Sequence, residues 1–206
     1  MTGGAGGPAV PPASVWNVAN ALTILRLILV PVFALLLLHD GGRDPWWRVA
    51  AWTAFAVAAV TDVVDGHLAR RRGLVTDFGA FADPVADKAL VGAALIGLSV
   101  LGELSWWVTI VILAREFAVT LLRLWVIRHG VIPASRGGKL KTLLQGVAIG
   151  LYVLPLSGWA ATGAALVMTA AVAVTLATGA DYVARALVLR RTSERAARKR
   201  DARSRG

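Results

Sequence analysis

Four aspartates, Asp62, Asp65, Asp83 and Asp87, stand at the ends of segments that are otherwise apolar. An ionised side chain in such a place is costly unless an opposite charge compensates it. The first two are three residues apart and the last two four, so on helices each pair projects from one face. Two such pairs facing one another offer an all-oxygen shell of the kind Mg²⁺ or Mn²⁺ prefers. A cation held there can bridge the phosphates of a diphosphate substrate and offset charge developing on the leaving group. One Asp at a helix end is more simply a cap or half of a salt bridge. Four in this register point to a metal site at a membrane surface.

The residues between the acids suit that chemistry. Gly66 and Gly79, and to a lesser degree Ala69, remove bulk where a ligand can approach the backbone, although small residues also serve close helix packing. Thr76 or Asp77 can cap the helix that carries the second pair. Pro84 follows Asp83 directly, so that helix is expected to start late or bend there. One of the acids can serve as a general base, and spacing alone allows Asp83 or Asp87.

A second constellation is cationic. Arg115, Glu116 and Arg123 lie inside an apolar segment, with Arg128, Arg136, Lys139 and Lys141 just beyond it. Arg115 and Arg123 are eight apart and share a helix face. Glu116 can merely pair with a neighbouring cation. The cations as a group outnumber the acids around them and favour an anionic ligand.

These residues need helices to hold them. The chain has 206 residues, 57% of them hydrophobic, with a mean hydropathy of +0.66, which indicates an integral membrane protein. The run 143–180 carries no formal charge. As one helix it would be roughly 57 Å long, about twice the hydrocarbon core, so it must be two spans, with the turn near Pro155, Ser157 and Gly158. Four further apolar segments, at about 21–38, 46–68, 77–102 and 104–127, precede it. The expected fold is an all-α integral membrane protein of six transmembrane helices, its polar cavity opening to the cytoplasm. The expected organisation is a flexible Gly-, Pro- and Ala-rich leader over 1–14, a helical domain over 15–190 and a basic tail over 191–206. The leader lacks the basic start of a cleavable signal peptide.

The charge distribution sets the orientation. With the N-terminus inside, the outer connections hold Arg43 alone among Lys and Arg, with Arg48 just inside the second span, whereas the inner ones hold Arg70, Arg71, Arg72, Arg128, Arg136, Lys139 and Lys141. Nine more cations lie between Arg185 and Arg205. Both termini and the four-Asp site are therefore expected on the cytoplasmic side of the cell membrane. Trp46, Trp47, Trp106 and Trp107 suit the outer interfacial belt. The net charge of +10 is read as topology and headgroup attraction rather than nucleic-acid binding, since no nucleic-acid module accompanies it. There are no cysteines, which removes disulfides, thiolate chemistry and Cys-bound zinc. His39, His67 and His129 are isolated in sequence, and His67, beside the aspartates, is read as a loop or interface residue.

The series Asp62-x₂-Asp65-Gly66-x₂-Ala69-Arg70-x₈-Gly79-x₃-Asp83-x₃-Asp87 resembles, without a departure, the signature of the CDP-alcohol phosphatidyltransferases. It fixes eight positions over 26 residues. The resemblance implies a CDP-linked donor, attack of a hydroxyl on the phosphorus that bears the lipid, and departure of CMP. It further implies that Asp62, Asp65 and Asp83 ligate Mg²⁺ or Mn²⁺, and that Asp87 is the base and also touches metal. Asn20, Thr23, Gly66, Arg70, Thr76 and Gly79 would line the site for CDP-diacylglycerol. Arg26, embedded in apolar sequence, either snorkels to the inner surface or binds phosphate. Asn20-x-Leu22-Thr23-x₂-Arg26, Arg115-Glu116-x₆-Arg123 and Gly138-Lys139-Leu140-Lys141-Thr142 resemble the branch that joins CDP-diacylglycerol to sn-glycerol 3-phosphate. Arg115, Arg123, Arg136, Lys139 and Lys141 would then hold the acceptor phosphate, and the family's homodimer is expected too. Two close rivals keep the machinery and change the acceptor, to phosphatidylglycerol (cardiolipin synthesis) or to inositol phosphate. A rival of another class, a divalent-cation transporter, is disfavoured because the acids sit at one face beside cations, with Glu103 almost alone at the other. An inactive scaffold would show erosion of the Asp set, and none is seen.

Overall fold

The computed structural model describes the backbone over residues 18–72, 76–126 and 136–204, and side chains throughout these except at 19, 65–72, 77, 80, 123–126, 136, 137, 139 and 190–204. Every regular element among the described residues is helical. Six α-helices run in order: α1 (Val18–Leu38), α2 (Pro45–Arg72), α3 (Asp77–Val100), α4 (Trp106–Val126), α5 (Arg136–Val153) and α6 (Gly158–Ser204), with a short 3₁₀ turn, His39–Gly42, between α1 and α2. The expected turn near Pro155 to Gly158 falls in the break between α5 and α6. The leader, residues 1–14, lies outside the described residues. The backbone of the basic tail continues α6 as helix as far as Ser204.

Three segments, Asn20–Gly42, Pro45–Val64 and Gly158–Leu189, are long and apolar enough to cross a membrane, and Leu140–Val153 is a shorter apolar helix. Large apolar side chains face outward from these helices: Leu35, Trp46, Trp159 and Leu166 are all strongly exposed. A soluble protein rarely tolerates so much exposed apolar surface, whereas hydrocarbon does not penalise it. These helices mark a membrane protein.

By packing the chain divides into two units, Met1–Ala93 and Ala94–Gly206. In the first, α1 lies against α2. Ala51, Ala54 and Ala58 on α2 are buried, and their small side chains let the α1 backbone come close. Phe33 and Phe55 fill the seam, ring centroids 5.7 Å apart. The hairpin is closed by Asp44, whose Oδ1 accepts the Trp46 N–H at 2.8 Å, with Pro45 at the first helical position. This is the pairing of acidic cap and N-terminal proline that helix starts favour.

In the second unit α6 packs against both α4 and α5. Ile112, Ile149, Val153 and Ala171 are wholly buried there. The end of α3 is tied to α4 by the buried Ser99 and Thr109 hydroxyls, 2.7 Å apart, and by Thr109 donating to the Leu95 carbonyl at 3.1 Å. Gly102 ends α3 with φ +76°, and Glu103 N–H reaches back to Leu98 O at 3.0 Å. That left-handed residue is the reason for glycine at this position.

Candidate functional site

The acids of the first unit are placed by the ends of α2 and α3. α3 begins at Asp77, not after Pro84, because its start is capped. Thr76 Oγ1 accepts the Gly79 N–H at 3.1 Å and donates its own proton to Asn20 Oδ1 at 2.8 Å. Pro84 is carried inside the helix, in its eighth position, where it removes one backbone donor near the acids.

Gly79 is buried, and the space that a side chain would take is already filled. A Cβ built there would stand 2.9 Å from Asn20 Oδ1 and 3.3 Å from Thr76 Oγ1. Glycine therefore admits α1 at this point. Asp62 is 44% exposed, Asp83 is half-buried and Asp87 is exposed, so all three stay within reach of solutes. Asp83 Oδ1 accepts a hydrogen bond from Thr23 Oγ1 at 2.6 Å, the short length expected of a hydroxyl on a carboxylate. Asp62 Oδ1 is 2.6 Å from Nη1 of Arg26, which is 0% exposed.

Among the described residues no three Asp, Glu or His side chains converge closely enough to form a metal cluster. The side chains of Asp65, Gly66 and Arg70 lie outside the described set. The donor set itself fits a hard divalent cation. It offers carboxylate oxygens only, partly exposed, at the ends of apolar helices.

The second unit gathers the described part of the cationic constellation. Arg115 on α4 reaches Glu116 Oε1 with Nη1 at 3.2 Å and Thr178 Oγ1 on α6 with Nη2 at 3.1 Å. Lys141 on α5, 7% exposed at its side chain, pairs tightly with the same Glu116 Oε1. Thr178 can accept from Arg115 because its own proton goes to Val174 O at 2.7 Å. The Arg115 stem lies over Gly179, where an added Cβ would stand 3.1 Å from Cγ. The cluster thus holds two cations and one acid, and Glu116 serves both cations. The side chains of Arg123, Arg136 and Lys139 lie outside the described set.

Sequence reasoning missed Thr178 and Gly179, the cradle of Arg115. Their signal was weak, since both sit in an uncharged run and gain meaning only from the residue opposite. It also left Arg26 open between a lipid-surface and a phosphate role, whereas its guanidinium is buried against Asp62.

Acids on two helices of the first unit thus meet donors from a third, and comparison with known proteins supplies the family. The CDP-alcohol phosphatidyltransferase family model matches residues 16–177, and the chain belongs to that family. A Mycobacterium tuberculosis (strain H37Rv) protein named probable phosphatidylglycerophosphate synthase is 62% identical over 175 residues, 85% of this chain and 84% of the relative. Two relatives named CDP-diacylglycerol–glycerol-3-phosphate 3-phosphatidyltransferase also match. That of Bacillus subtilis (strain 168) is 40% identical over 180 residues, 81% of this chain and 93% of the relative. That of Escherichia coli (strain K12) is 41% identical over 164 residues, 76% of this chain and 88% of the relative. The family is in general dependent on divalent metal.

Proposed function

We propose that this chain transfers the phosphatidyl group of CDP-diacylglycerol to sn-glycerol 3-phosphate, giving phosphatidylglycerol phosphate and CMP. The observation that carries the reading is the complete Asp62–Asp87 signature on a chain whose relatives are named for this reaction. Asp87, exposed on α3, takes the proton of the acceptor hydroxyl. The oxygen so activated bonds to the phosphorus bearing the diacylglycerol. The bond from that phosphorus to the CMP oxygen breaks, and CMP carries away the electron pair. Asp62, Asp65, Asp83 and Asp87 would hold Mg²⁺ or Mn²⁺, which supplies positive charge to the diphosphate. Gly66, Arg70 and Thr76 line the donor side, and Gly79 contributes by letting Asn20 close over the start of α3.

The acceptor phosphate falls to the cations Arg115, Arg123, Arg136, Lys139 and Lys141. The excess of cations over acids in the Arg115–Glu116–Lys141 cluster supports this, because an arriving phosphate can take over contacts that Glu116 now makes. All six helices embed in the membrane, with both termini and the acids at the cytoplasmic face, and the protein works as a homodimer.

The test is CMP release by the purified protein in detergent with Mg²⁺ and CDP-diacylglycerol. Glycerol 3-phosphate, inositol phosphate, phosphatidylglycerol and serine are offered separately. The reading expects release with glycerol 3-phosphate alone, abolished by chelation. Release with another acceptor would keep the chemistry and reassign the cations. Silence with all four would turn attention to cation transport.

A further inference from the structure

Asn20, Thr23 and Arg26 occupy successive turns of α1, and each is almost wholly buried, at 3%, 1% and 0% exposure. Their neighbours Ile24, Leu25 and Ile28 on the same helix are exposed. Each polar side chain meets a different segment of the first unit. Asn20 receives the Thr76 hydroxyl at the start of α3, Thr23 donates to Asp83 within α3, and Arg26 pairs with Asp62 on α2. These partners are 56, 60 and 36 positions away in the chain.

We infer that α1 is the brace of the metal site, with Thr23 and Arg26 acting as positioning residues that fix Asp83 and Asp62. The inference rests on the proposed metal-dependent reading of those acids. A hydroxyl has one proton, and Thr23 gives it to Asp83 Oδ1, so the same proton does not serve a donor phosphate. A carboxylate has two oxygens and about four lone-pair sites, so one contact at Oδ1 orients it without exhausting it. Arg26 also offsets the charge of Asp62, the acid it touches. Partners of this kind set the aim of metal ligands, and losing one typically costs about 10–100-fold in metal affinity or activity. Thr23 and Arg26 therefore work directly on the acids, and Asn20 works on Thr76 at the start of α3.

The test is Mn²⁺ binding to the full chain in detergent, read without turnover from the electron paramagnetic resonance of free Mn²⁺. The KM for CDP-diacylglycerol at saturating Mn²⁺ is measured beside it. Thr23→Val keeps the shape of the side chain and loses the proton. It is expected to weaken Mn²⁺ binding about 10–100-fold, and Thr23→Ser is expected to restore the affinity. Arg26→Gln should act in the same direction. Should Arg26→Gln fail to fold, the Thr23 pair still decides. Unchanged Mn²⁺ affinity in Thr23→Val, or a raised donor KM with Mn²⁺ binding intact, would overturn the inference. A loss that Thr23→Ser does not restore would overturn it as well, by pointing to general damage. The parent reading fails separately, if an Asp62→Asn, Asp83→Asn double variant binds Mn²⁺ as well as the unaltered protein.

Discussion

In the first unit Asp62 and Asp83 are each met by one donor from α1, Arg26 and Thr23 respectively. In the second unit the arrangement is reversed, and Arg115 and Lys141 both turn to one acid, Glu116. Separate partners hold each acid in its own direction. Among the described residues, the shared partner leaves two cations facing one carboxylate. On the proposed reading, the paired charges give stiffness around the acids and readiness for an anion around the cations.

The comparison is broken most sharply at Asp87. Asp87→Asn removes the proposed base and should lower CMP release by about 10²–10⁴-fold, with CDP-diacylglycerol binding largely kept. Retained turnover would remove Asp87 from that role. Lys141→Met should next raise the KM for glycerol 3-phosphate by about tenfold or more while the donor KM stays within about threefold, as expected for loss of a charge-assisted contact. Initial rates over a grid of both substrates separate the two constants, and equal loss of both would indicate a structural part instead.

Glu116→Gln sharpens the second half of the contrast. It leaves the Lys141 ammonium and Arg115 without their shared acid, and should lower stability by about 1–3 kcal/mol in a thermal melt. A melt unchanged from the original would mean that the cluster is already relaxed without Glu116.

Substitutions at two glycines should divide by unit, the smaller effect falling in the second. Gly79→Ala sets a methyl 2.9 Å from Asn20 Oδ1, where the carboxamide is buried and engaged with Thr76. It should cost about 1–3 kcal/mol and weaken metal dependence. Gly179→Ala presses on the stem of Arg115, which can yield, so the cost should be about 1 kcal/mol or less and appear in the acceptor KM. Swapped phenotypes would contradict the division of labour.

Much of this molecule can be read from its residues. Apolar runs and their punctuation placed the six helices, because Pro155 and Gly158 cannot continue a helix comfortably and the run 143–180 is too long for one span. Thr76 as the cap of α3 was legible from its type and place. Of the two outcomes expected at Pro84, the late start is not seen, since the capped helix already begins at Asp77 and carries the proline inside it. The bracing by α1 was not legible. Asn20, Thr23 and Arg26 stood out as polar residues in an apolar helix, but their partners lie tens of residues away. Only the fold says which polar side chain meets which. The same holds for Glu116, whose two cations come from α4 and α5.

The central claim is that the acids of the first unit do the chemistry while the cations of the second choose the acceptor. It is tested most directly by the rate of CMP release from Lys141→Met over a matrix of Mg²⁺ and glycerol 3-phosphate concentrations. The account predicts that the acceptor requirement rises while the Mg²⁺ requirement at saturating acceptor is unchanged. A parallel shift in both requirements would contradict it.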